Sequence, residues 1–168
     1  MNKIIILILV FIVALIGISG CIDSSTKKTS QSDIQTVGNS TFQMPDGWHI
    51  RNNYFFNNIA KFSTKSKENN ITLNIRQYKD VDEQNRDYND NLLSAKGFKV
   101  ILSNETISGV QTKVDKIESD DPTVTLSDYY FQKNGKYYII TIEGSRVNGT
   151  NSNSVINEAI ETIISTLN

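Results

Sequence analysis

The chain has 168 residues, 38% of them hydrophobic and 21% charged, with a formal net charge of −1. That length is room for one domain of ordinary size, and that composition belongs to a globular chain rather than a disordered, collagenous or wholly membrane-embedded one. One histidine and one cysteine in the whole chain exclude most zinc sites and disulfide frameworks and leave few routes to a nucleophile–base–acid triad, while the near-neutral charge gives no argument for a nucleic-acid partner.

Residues 1–20 read as a targeting segment: Lys3, an unbroken apolar run from Ile4 to Ile16, then Gly17, Ile18, Ser19 and Gly20 ahead of Cys21. A bilayer crossing wants about 20 apolar residues, and this run is short of that before small residues interrupt it, which favours processing over permanent insertion. Ile18-Ser19-Gly20-Cys21 resembles the lipobox of prokaryotic lipoproteins, in which an aliphatic and two small residues precede a cysteine that becomes lipid-modified and N-terminal. The small residues let a membrane peptidase reach an extended backbone beside the thiol. A lipid at Cys21 would hold the rest of the chain at a cell membrane on its extracytoplasmic side. Removal of Lys3 leaves 16 basic against 18 acidic residues and no other thiol, so an oxidising exterior offers no mispairing. Residues 21–40 are rich in Ser, Thr, Gln and Lys and poor in apolar side chains, the composition of a flexible tether with a reach of roughly 20–25 Å.

From Thr41 the pattern turns to short runs of period two, and residues 41–168 form the single expected domain. Phe42-Gln43-Met44 leads to Pro45-Asp46-Gly47, a turn with proline expected in its second place and glycine in its fourth, and Trp48-His49-Ile50 follows as a strand. Tyr54-Phe55-Phe56 lies among asparagines on an expected loop. Ile59 to Thr64 and Ile71 to Tyr78 are strands, the second with Ile71, Leu73 and Ile75 on one face. Asp82 to Lys96 carries helix formers with Tyr88, Leu92, Leu93 and Ala95 as its stripe and Gly97 as its stop. Two hairpins follow, one around Ser108-Gly109 and a clearer one around Asn134-Gly135, whose residues tolerate the positive φ of a type I′ turn. Ile156, Ile160, Ile163 and Leu167, with Val155, Ala159 and Ile164, recur at helical spacing and predict a C-terminal helix that covers the core, with Ser152 or Ser154 as N-cap. The order predicts an α+β layered sandwich around a mainly antiparallel sheet. An all-β sandwich with a C-terminal helix is the alternative, and it leaves that helix without a role.

Candidate sites are few. A base at His49 needs a positioned nucleophile and an orienting acid, and neither stands nearby in sequence. Asp87-Tyr88-Asn89-Asp90-Asn91 starts like a calcium loop but has Leu92 where the turn needs glycine and Phe98 where it needs a bidentate glutamate. No motif calls for a metal or a cofactor. Tyr129, Tyr130, Phe131, Tyr137 and Tyr138 place aromatics on both faces of one hairpin, so Tyr129 and Tyr137, with Tyr54 and Phe55, are candidates for a binding surface beside a packing role. Asn39, Asn70, Asn104 and Asn148 satisfy the N-glycosylation pattern, which matters only in a host that glycosylates exported proteins.

Phe42 to Trp48, Thr106-Ile107-Ser108-Gly109-Val110, Tyr129 to Ile140 and Ile163 to Leu167 together resemble the PsbP-like and DcrB-like lipoproteins and exported domains, over roughly residues 40–168. The resemblance implies a three-layer α/β/α sandwich with a central antiparallel sheet, and a non-enzymatic protein that assists a membrane complex. It carries over no catalytic residue. The function expected is therefore a lipid-anchored extracytoplasmic binding domain, an accessory or assembly factor for an envelope membrane complex. A small-ligand capture module and an envelope hydrolase are the alternatives.

Overall fold

The computed structural model describes residues 34–50, 58–64, 69–118, 124–146 and 152–168. Nine strands and two helices are found among them: β1 (Ile34–Val37), β2 (Ser40–Gln43), β3 (Trp48–Ile50), β4 (Ile59–Thr64), β5 (Asn69–Tyr78), α1 (Val81–Ser94), β6 (Lys99–Ile107), β7 (Val110–Glu118), β8 (Val124–Lys133), β9 (Lys136–Arg146) and α2 (Ser152–Thr166). Strands β3 to β9 make one seven-stranded sheet in the order β3-β4-β5-β9-β8-β7-β6, and β1-β2 is a separate ribbon. Every pairing is antiparallel.

The alternation read from the sequence sorts the side chains. Leu73 opposes Ile142, Ile75 opposes Ile140, and Tyr129 opposes both Ile140 and Val114, so these residues share one face. Against that face pack Ile156, Ala159, Ile160, Ile163, Ile164 and Leu167 of α2, together with Val37 and Phe42 of the ribbon and Trp48. On the opposite face Tyr78, Tyr130 and Ile139 form a smaller cluster with Tyr88 of α1 and Tyr137. The result is the expected α+β sandwich with a helix on each side of the sheet. The all-β alternative is excluded by α2, which supplies much of the main core.

Both hairpin expectations are met at the backbone. Asn134 and Gly135 have φ of 52° and 75°, and Ser108 and Gly109 have 49° and 79°, the left-handed pairs that a type I′ turn requires. The Pro45 turn is displaced by one residue: the Trp48 N–H donates to the Pro45 carbonyl at 3.3 Å, so proline opens the turn and Gly47, at φ 81°, takes its third place.

Two expectations are corrected. The ordered body begins before residue 41, because Ile34–Val37 pairs with β2 and buries Val37 completely; a short β-prone run in polar sequence is stabilised here by the core it joins. Leu93, placed on the sheet-facing stripe of α1, is 71% exposed, and no residue within that helix is buried, because α1 lies on its face through polar links.

The end of α2 is clasped from two sides. Thr41 and Asn168 exchange backbone hydrogen bonds at 3.1 and 2.9 Å, and the Gln43 N–H donates to Thr166 Oγ1 at 2.9 Å. From the β8–β9 hairpin, Lys133 Nζ donates to the carbonyls of Ile164 and Ser165, bringing positive charge to carbonyls that have no partner within the helix.

Ile163→Ala, which empties a fully buried position on α2, is expected to destabilise the domain by about 2–5 kcal/mol. Leu93→Ala should change stability by no more than about 0.5 kcal/mol. Urea denaturation of both variants checks this; comparable losses would mean that the two helices share the load.

Candidate functional site

Helix α1 is fixed to the sheet by polar side chains. Asp80 caps it by accepting from the Glu83 N–H at 2.9 Å, and Glu83 in turn accepts from Arg76 at 2.7 Å and from the Lys79 N–H at 2.8 Å. Further along, the Tyr78 hydroxyl donates to Asp87, Gln84 Nε2 donates to the Tyr138 carbonyl at 2.8 Å, and Asn91 Nδ2 donates to the Tyr130 hydroxyl at 2.8 Å. Tyr88 meets Tyr130 edge-on at 5.1 Å, and Lys113 Nζ stands 3.7 Å over the Tyr88 ring. Burial, with the neighbouring Asp87 next, pushes the Tyr78 hydroxyl far above its ordinary range.

These links hold α1 over one half of its face and leave the other half open. Beyond its C-terminal turn lies a cleft of about 490 Å³ walled by Phe98, Ile117 and Leu126, with Asp128, Thr141 and Glu143 also lining it. Asp128 stands directly opposite Asp115 across β7–β8 and opposite Thr141 across β8–β9. The Thr141 hydroxyl donates to Asp128 Oδ1 at 2.6 Å, whereas Asp115 Oδ1 is buried without a partner. Loss of solvent is the main reason that the Asp128 carboxyl is pushed up to about 6; the Thr141 hydrogen bond opposes the shift and the charges of Asp115, Asp87 and Glu143 add to it. The Asp115 carboxyl is also raised by burial, against the pull of Lys113. Two further cavities lie among the described residues. One of about 510 Å³ runs between α2 and the Pro45 turn, and one of about 290 Å³ is lined by Tyr88, Tyr130 and Tyr137.

The candidates from the sequence are dispersed. Tyr129 belongs to the main core at 5% exposure, where burial raises its hydroxyl to about 12, so it offers no binding surface; the alternation that carries Tyr130 to the α1 face carries Tyr129 to the other. Tyr137 is half-buried on the α1 face. Asn39 is exposed in the β1–β2 turn, accepting from Gln77 Nε2 at 2.8 Å, and Asn70 and Asn104 are exposed on β5 and on the edge strand β6. Cys21, Tyr54, Phe55 and Asn148 lie outside the described residues. His49 is exposed on the edge strand β3 opposite Ser63. The acidic cleft was missed from sequence because Asp115 and Asp128 come together only through the β7–β8 register; the one signal is that each is a lone carboxylate inside an alternating strand.

Among the described residues no helix is long and apolar enough to cross a membrane, and no three of His, Cys, Asp and Glu are grouped so as to hold a metal ion. The sequence matches no family model and no curated protein. Among solved structures it is similar to the cyanobacterial PsbP protein, CyanoP, of Synechocystis, with 13% identity, a TM-score of 0.44, and coverage of 77% of this chain and 85% of that one. A Bacteroides thetaiotaomicron protein is 10% identical with a TM-score of 0.41; the match covers 77% of this chain and 44% of that one, so this chain spans less than half of its length. Likeness at this distance carries no functional argument, and the fold above stands on the chain's own strands and helices.

Because the folded Asp128 carboxyl sits near 6, above the ordinary aspartate value near 3.9, the folded state holds a proton that the unfolded chain releases, and stability falls as pH rises through that interval. Asp128→Asn is therefore expected to stabilise the domain by roughly 1–3 kcal/mol at pH 8, with the gain shrinking towards pH 4. Denaturant titrations at the two pH values decide it, and a variant that is less stable at pH 8 refutes the assignment of a strained buried charge.

Proposed function

We propose that this chain is a non-catalytic binding domain held at the extracytoplasmic face of a cell membrane by a lipid on Cys21, where it serves as an accessory or assembly factor for a membrane complex. The observation that carries the binding role is the open half of the α1 face. Phe98, 63% exposed, forms part of the wall of its cleft, and Leu93 of α1 and Leu102 of β6 are exposed at 71% and 55%. An exposed apolar wall at a concave site fits a surface that meets another molecule. The location draws on the apolar run and the Ile18-Ser19-Gly20-Cys21 tetrapeptide. Confinement near a membrane raises the effective concentration of its components, so contacts of modest affinity suffice.

A hydrolytic reading is disfavoured by the strand register. His49, Ser63, Thr72 and Glu143 stand in one row across β3, β4, β5 and β9. A serine–histidine–carboxylate relay needs the imidazole in the middle, and here the carboxylate is three strand spacings, about 14 Å, from the histidine. Small-ligand capture is the second reading, favoured by the volume and mixed lining of the cleft.

Membrane fractionation with intact-mass measurement of the native protein and Cys21→Ala, followed by crosslinking, tests the proposal. The native protein should carry a lipid-sized mass on Cys21, stay with the membrane and crosslink to membrane proteins. The variant should lose the mass and the retention. A variant that remains in the membrane with residues 1–20 attached overturns the lipid anchor, and native protein that crosslinks to nothing overturns the accessory role.

A further inference from the structure

The lining of the cleft carries two carboxylates, Asp128 and Glu143, and no cation. The strand pairings set Leu102, Asp115, Asp128, Thr141 and Asn74 in one row across β6, β7, β8, β9 and β5, all on the α1 face. The Thr141 hydroxyl is spent on Asp128. Asp115, 5% exposed, and Asn74 each leave Oδ1 buried without a partner, and neither lines the cleft. In the next row Ile117, Leu126 and Glu143 stand side by side. None of Asp115, Asp128 and Glu143 forms an ion pair among the described residues.

The cations on this face stand outside the lining of the cleft. Arg76 pairs with Glu83 and Asp87, and Lys113 sits over the Tyr88 ring. Carboxylates that face an apolar-walled cleft with no cation in its lining are costly. What would offset that cost is a group that brings a positive charge and N–H donors. The remaining walls, Phe98, Ile117 and Leu126, are apolar and enclose a volume suited to an organic molecule rather than a bare ion. Among the described residues no three of His, Cys, Asp and Glu are grouped so as to hold a metal ion, which disfavours calcium as the occupant.

We propose that the cleft binds an organic ammonium: a protonated amine set against Asp128 and Glu143, with its apolar body between Phe98, Ile117 and Leu126. This rests on reading the open half of the α1 face as the binding surface, and it names the chemistry that surface selects. A neutral analogue leaves the carboxylates unpaired, and an anionic one meets like charge.

The full chain, methyl-labelled and held in neutral maltoside micelles, is titrated at pH 7.5 with 2-phenylethylamine, 2-phenylethanol, phenylacetate and calcium chloride in turn. The methyls of Ile117, Leu126 and Thr141 report the site. The amine should shift them saturably and bind at least tenfold more tightly than the alcohol, and phenylacetate should leave them unmoved. Asp128→Asn, and separately Glu143→Gln at an exposed position, should each weaken the amine at least fivefold while leaving the alcohol unchanged. Equal binding of amine and alcohol, a response to calcium without one to the amine, or no methyl response at all overturns the proposal. Amine binding by a protein that is not retained at membranes supports this site and refutes the anchored role; membrane retention without amine binding does the reverse.

Discussion

A seven-stranded sheet has two faces to cover, and among the described residues most of the buried apolar surface is gathered on one of them. The isoleucine-rich side of α2, the β1–β2 ribbon and Trp48 close the first face completely, and the largest buried side chains of the molecule are gathered there. The second face receives a helix in which no residue is buried, held by an aspartate cap, an arginine between two carboxylates, two hydrogen bonds from Gln84 and one from Asn91. The hydrophobic effect is non-directional and tolerates small shifts, whereas these links fix position and angle. The helix is therefore placed rather than pressed, and the space beyond its last turn follows from where the links end.

That division explains what could be read beforehand. Period-two alternation in β5, the Asn134-Gly135 turn and the stripe of α2 are local signals whose physics is complete within a few residues, and each appears where the pattern puts it. Ile34–Val37 was hidden because its stability comes from Val37 entering a core assembled by distant strands. Leu93 misled because a helical stripe says which residues align and not which side the sheet takes. Asp115 and Asp128 were legible as residues but not as neighbours, since their meeting depends on the register of two long strands. Tyr129 and Tyr137 show the same limit: alternation says that they part from Tyr130 and Tyr138, and only the layers say which side is the deeper one.

The charged side chains are consequently unequal in what they do. Lys99 and Glu118 meet at 2.6 Å on an exposed edge, where water and salt leave such a pair with little net effect. Arg76, half-shielded between Glu83 and Asp87 and 4.8 Å from the centre of the Tyr78 ring, orients a helix. Asp115 and Asp128 oppose folding when both are ionised, because two like charges face each other with little water between them. The fold does not need such a pair; its presence in the second layer marks the place where stability has been relinquished.

The clasp between Thr41 and Asn168 sets the order in which the molecule can mature. It joins positions at nearly opposite ends of the described body, and the main core takes side chains from β2 and from α2 alike. While the chain is being made, the hairpins can form as they emerge, but the sealed face has no cover until α2 has followed them. Contacts of such long range make closure late and slow relative to local structure. Until α2 arrives, the apolar face of the sheet that it covers is bare, the kind of surface that a chaperone recognises.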